Sequence, residues 1–131
     1  MKVSSLVVPC LLGFALLASA QDDAEFVKWM KTTGGATKVL RESKTGAEAA
    51  SSAEKVAAVY DQMKGFWAKR NASDAVKLSE EGHRAATELA AAAKAGDDQK
   101  AAAAFKALGA TCKPCHDAHR EKLEDGSYRI K

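Results

Sequence analysis

Residues 109–120 read GATCKPCHDAHR. This short run holds two of the chain's three cysteines, two of its three histidines and one of its two prolines. Cys112, Cys115 and His116 stand at i, i+3 and i+4, positions that share one face of a helix. The rest of the 131-residue chain, rich in alanine and lysine, has to be read as whatever folds around that face.

Cys112-Lys113-Pro114-Cys115-His116 is a C-x-x-C-H sequence, the attachment signature of a c-type haem. The spacing follows from the chemistry. Each sulfur adds to one porphyrin vinyl group to make a thioether, and the adjacent imidazole is placed to ligate the iron. Three plainer readings compete. A redox dithiol usually accompanies a βαβ pattern, which is absent. A closed zinc site needs four ligands, and there is no second cysteine pair. A small structural disulfide leaves His116 unexplained. Pro114 removes an amide donor and clashes with the carbonyl of Ala110, so a kink is predicted within residues 109–115, either by a bend at Gly109-Ala110-Thr111 or by Thr111 restarting the helix as a cap.

The chain begins with Lys2, an apolar run from Leu6 to Leu17, and the small-residue sequence Ala18-Ser19-Ala20 before Gln21. That is the pattern of a secretory signal cleaved after Ala20. The domain division expected is therefore a signal peptide over 1–20 and one domain over 21–131. Cys10 as a lipid attachment site is disfavoured by Pro9 before it and by the apolar run continuing past it. Cleavage removes Lys2 and no acid, lowering the formal charge from +3 to +2. Such a near-neutral chain lacks the strongly basic stripe of a nucleic-acid binder. The destination is the periplasm, where free thiols tend to oxidise.

Four helical segments follow. Phe26, Met30, Thr33, Thr37 and Leu40 alternate steps of four and three, a helical stripe within about 22–41. Val56, Val59, Tyr60, Met63, Phe66 and Trp67 mark a second helix within about 47–69. The third is capped near Asn71–Ser73, carries Leu78, His83, Ala86 and Leu89, and stops at Gly96. The fourth opens at Asp97-Asp98 and runs past Phe105, Leu108 and the cysteines to about Leu123, with Gly126 in a frayed tail. No segment shows the two-residue alternation of a half-buried strand. The fold class predicted is all-α: an antiparallel up-down-up-down four-helix bundle with covalently attached haem c. Alanine fills core positions of the third and fourth helices, which leaves room for a large body that is not a side chain.

An exported four-helix bundle with C-x-x-C-H near its C-terminus resembles the class II cytochromes c, which include cytochrome c prime and its low-spin relatives. The run CKPCHDAHREK is similar to that family's C-terminal pattern, including Arg120 after the histidine. The resemblance covers residues 22–124 in layout, while only the haem motif is highly specific. It implies one covalent haem c on Cys112 and Cys115, with His116 as proximal iron ligand. In low-spin members a first-helix methionine binds the opposite face, and Met30 stands at the matching place. Gly34, one turn later, would let the porphyrin come close. Many members carry an arginine one turn before the ligand position, near a haem propionate; here that residue is Phe26, so either Lys28 or Lys31 compensates or the propionates are more exposed. His83 is a rival ligand on the third helix, and His119 cannot reach the opposite haem face.

The function expected is electron transfer through a low-spin Met/His haem, with redox partner proteins outside the cytoplasm. Lys106, Lys113, Arg120 and Lys122 could steer an acidic partner or simply form a solvated helix face. The alternative is a five-coordinate, gas-binding haem protein in which Met30 only packs over the ring. The resemblance also implies that a homodimer through the first two helices is common. No acid–base constellation of an enzyme is evident: Glu80, Glu81 and Glu88 read as solvated charges. The Asn71-Ala72-Ser73 sequon reads as a helix cap rather than a glycosylation site.

Overall fold

The computed structural model describes residues 11–131, with side chains placed from Ser19 onward. Its order is α1 (Leu11–Glu42), α2 (Ala47–Lys69), α3 (Ser73–Ala95), α4 (Asp98–Ala110), α5 (Cys112–His119), β1 (Arg120–Lys122) and β2 (Tyr128–Ile130). The fold is a four-helix bundle whose fourth member is broken at Thr111 into α4 and α5. Met1 to Pro9 and Cys10 lie outside the described residues. α1 runs unbroken through the expected cleavage point at Ala20.

The stripes read from the sequence become the core. Phe26 and Leu40 of α1 are buried, and Met30, Thr33 and Thr37 are half-buried. All six large residues of the α2 stripe are buried. α2 and α3 both bury faces rich in alanine, among them Ala49, Ala53, Ala75, Ala85, Ala86 and Ala93. Leu89 and Leu108 are the bulkier anchors of α3 and α4, at 0% and 1% exposure. α1 is fastened to α2 by an aromatic cluster. Phe26 stacks on Phe66 at 4.5 Å and meets Trp67 edge-on at 5.2 Å. Arg70 lies 3.6 Å over the Phe66 ring and pairs with Asp23.

At α3 and the start of α4 the helix ends follow local rules with one exception. Gly96 terminates α3 in the left-handed conformation, φ +68°, as a C-terminal glycine should. Asp97 caps α4 by accepting from the Lys100 amide at 3.0 Å. The exception is the start of α3. Its cap residue is Ala72 with no side-chain cap, while Asn71 takes φ +55° in the turn from α2. Asn71 serves there by tolerating the left-handed region rather than by capping.

The C-terminal end departs from expectation. The last helix stops at His119, not near Leu123, and residues 120–130 form an antiparallel hairpin pairing Arg120 with Ile130 and Lys122 with Tyr128. The turn is built by Gly126 at φ +84° and by Asp125, whose carboxylate accepts from the Ser127 amide and hydroxyl. Strands of three residues are too short to show alternation, but Asp125-Gly126 is a turn signal in plain view.

Candidate functional site

The break before the C-x-x-C-H run is where the site begins. Pro114 falls in the first turn of α5, where a missing amide costs little. Within 109–115, where a kink is predicted, the helix is interrupted at Thr111, whose backbone stays in the right-handed helical region. Thr111 does not cap α5 through its side chain. Its hydroxyl instead donates back to the Leu108 carbonyl at 2.8 Å and meets the Tyr60 hydroxyl at 2.8 Å.

One cavity of about 650 Å³ brings together Met30 and Gly34 of α1 with Cys112, Cys115 and His116 of α5. Its wall is mainly apolar, with Phe26, Met63, Trp67, Leu78, Phe105 and Leu108 among the contributors. Its volume lies within the usual range for enclosing a cofactor-sized ligand. A Cβ on Gly34 would meet nothing within 4 Å, so protein packing alone gives no reason for glycine there. His83 is exposed and takes no part in the wall, which removes it as a rival ligand. Phe26 is buried in the aromatic cluster and carries no charge toward the cavity. Of the two lysines expected to compensate, Lys31 borders the cavity, whereas Lys28 pairs with Glu25 at 3.0 Å. Arg41, Arg120 and Arg129 border it as well, and no Asp or Glu joins them among the described residues.

The electrostatics suit a covalent porphyrin site better than a dithiol or a zinc centre. Burial first, and Asp74 second, push the Cys115 thiol up to about 11. A thiol held that far from ionisation is a poor redox nucleophile at neutral pH. Burial also lowers His116, helped by the Arg120 charge and opposed by Asp117. A neutral imidazole is the form that binds a metal. Among the described residues no group of three or more His, Cys, Asp or Glu side chains converges on one point, as zinc would require. Among the described residues, both buried polar side-chain atoms without a protein partner, Thr33 Oγ1 and Trp67 Nε1, belong to the cavity wall. Paired thiols, a neutral imidazole and an apolar chamber fit a haem c.

Three contributors escape a reading by periodicity. Tyr60 is a core residue of the α2 stripe, yet its hydroxyl reaches the α4–α5 break. His119 binds Asp74 through Nε2 at 2.7 Å and stacks on Trp67 at 4.6 Å. Ser127 to Ile130 of the hairpin form part of the cavity wall. Of these, only the hairpin had a visible cue, its Asp-Gly turn.

A family profile described as Cytochrome C' matches residues 63–120. The cytochrome c' of Alcaligenes xylosoxydans xylosoxydans is 62% identical over 34 residues, covering 26% of this chain and 27% of that protein. The cytochrome c' of Pararhodospirillum photometricum is 36% identical over 94 residues, covering 57% of this chain and 72% of that protein. No solved structure matches. The matched region spans the aromatic end of α2, all of α3 and the cysteine-bearing helix. Together with the helical bundle and its chamber, these similarities show that the chain belongs to the cytochrome c' family, the class II cytochromes c, whose members carry a covalently bound haem c.

Proposed function

We propose that the chain is an exported electron carrier, with haem c joined through Cys112 and Cys115 and ligated by His116 and Met30. The observation that carries this reading is that Met30 and His116, on different helices, border the same cavity as both thiols. The haem supplies a one-electron ferric–ferrous couple, with its potential raised by a methionine ligand. The protein's part is to hold and enclose. Cys112 and Cys115 fix the ring to α5, the apolar wall excludes water, and Gly34 leaves room for close approach. Lys31, Arg41 and Arg120 offer positive charge to the ring's carboxylates and to an acidic partner, whereas Arg129 is paired with Glu121 at 2.7 Å. Lys113 is paired with Asp117, so Lys106 and Lys122 remain the better candidates for steering that partner. Export follows from the signal-like residues 1–20, and no described helix is long and apolar enough to cross a membrane.

The second reading is a five-coordinate, gas-binding protein. It is favoured by the name both relatives bear, cytochrome c'. Met30 would then pack over the ring without bonding to it. Pyridine haemochrome analysis and mass spectrometry test attachment: one covalent haem is expected, lost in Cys112→Ala with Cys115→Ala. The ferric optical spectrum and carbon monoxide binding separate the two functions. A low-spin spectrum that becomes high-spin in Met30→Ala supports electron transfer. A high-spin wild type, unchanged by Met30→Ala and binding carbon monoxide rapidly when ferrous, establishes the second.

A further inference from the structure

α5 carries both cysteines and His116, yet none of its eight residues is buried. An eight-residue helix is not stable by its own hydrogen bonding, and this one packs on the core only through half-buried side chains such as Cys115. Its orientation must come from its ends. We propose that two polar pins, Tyr60–Thr111 and Asp74–His119, fix α5 on the bundle and thereby set the angle of the His116 imidazole, making Tyr60 and Asp74 positioning residues.

The first pin joins α2 to the break before α5. Thr111 has one hydroxyl proton and gives it to the Leu108 carbonyl at 2.8 Å. The 2.8 Å contact with Tyr60 is therefore made by the Tyr60 O–H donating to Thr111 Oγ1. Both residues are 5% exposed, so the bond is sheltered from competing water. The Tyr60 ring is buried and fills the space where a Cβ on Gly82 would stand. The second pin joins the first turn of α3 to the last residue of α5. His119 Nε2 lies 2.7 Å from Asp74 Oδ2, and its ring rests on Trp67 at 4.6 Å. His116 lies between the two pins.

This inference rests on His116 being the iron ligand. Ferric paramagnetic resonance on the haem-loaded protein reads the imidazole orientation through its rhombicity, and redox titration reads the midpoint potential. Tyr60→Phe keeps the ring in its notch and leaves Thr111 bonded to Leu108, so the fold should persist. Asp74→Ala removes the other pin. Each variant should shift the rhombicity and the potential, and the double variant should shift both further. Thr111→Val should reproduce Tyr60→Phe, while Thr111→Ser should restore the wild-type signals. If Tyr60→Phe fails to fold, the Thr111 pair decides the first pin. Unchanged spectra and potentials in Tyr60→Phe, Thr111→Val and Asp74→Ala, with haem attached, overturn the pins alone. A wild type without covalent haem overturns the reading beneath them.

Discussion

The Tyr60 ring sits where a side chain on Gly82 would have to be: a Cβ there would lie 2.1 Å from Tyr60 Cε1. Gly82 is buried in the middle of α3, where glycine otherwise weakens a helix by about 1 kcal/mol relative to alanine. Gly82→Ala should recover that amount and lose more, since overpacking a filled core costs about 1–3 kcal/mol. Net destabilisation is the expected result of denaturant unfolding. Tyr60→Leu in the same background should relieve part of it, and a double-mutant cycle measures how much.

Leu89 carries much of the apolar bulk on a helix otherwise lined with alanine. It is fully buried, and its neighbours are too small to collapse into the space it would leave. Leu89→Ala should cost about 2–5 kcal/mol. The midpoint of urea or thermal unfolding checks it.

Acid should loosen the start of α4. The Lys100 amide, bonded to the Asp97 carboxylate, holds that group below its usual value of 3.8. The unfolded chain thus takes up this proton at higher pH than the folded one. The cap contributes fully above the usual carboxylate range and fades as pH falls through the lower folded value. Asp97→Asn keeps an acceptor but removes the charge, so its stability should fall less steeply between roughly pH 5 and 2. Parallel acid titrations followed by circular dichroism decide the point.

Removing the attachment residues should disturb α1 most. α1 reaches the rest of the bundle mainly through α2, and the large chamber lies on its Met30 face. With Cys112→Ala and Cys115→Ala the chamber has no covalent guest, and amide exchange should rise first in 26–40. Native-like protection and sharp melting of that variant would show the bundle to be self-sufficient.

Much of this was legible beforehand. The α1 and α2 stripes, the Gly96 stop, the Asp97 start and the break near Pro114 each follow from a local rule acting on a few neighbouring residues. The shared cavity of Met30, Gly34, Cys112, Cys115 and His116 was legible through the motif and the resemblance. What stayed hidden depends on pairs far apart in the chain. Nothing near Tyr60 announces Thr111, and nothing near His119 announces Asp74. Asn71 was misread because capping and left-handed turns favour the same residue type. The hairpin was missed because its strands are too short for a rhythm, although Asp125-Gly126 marked its turn.

That hairpin begins at Arg120, where the family match ends, and its far strand closes part of the chamber. The wall of the chamber is thus partly written in the hairpin, whose Ile130 packs against the helical core and whose Tyr128 is exposed. Tyr128, exposed at the chamber's edge, is the position there that packs least on the helices. Lineages of this protein could retune polarity and access at the chamber's edge by editing the tail, leaving the inherited barrel of helices alone.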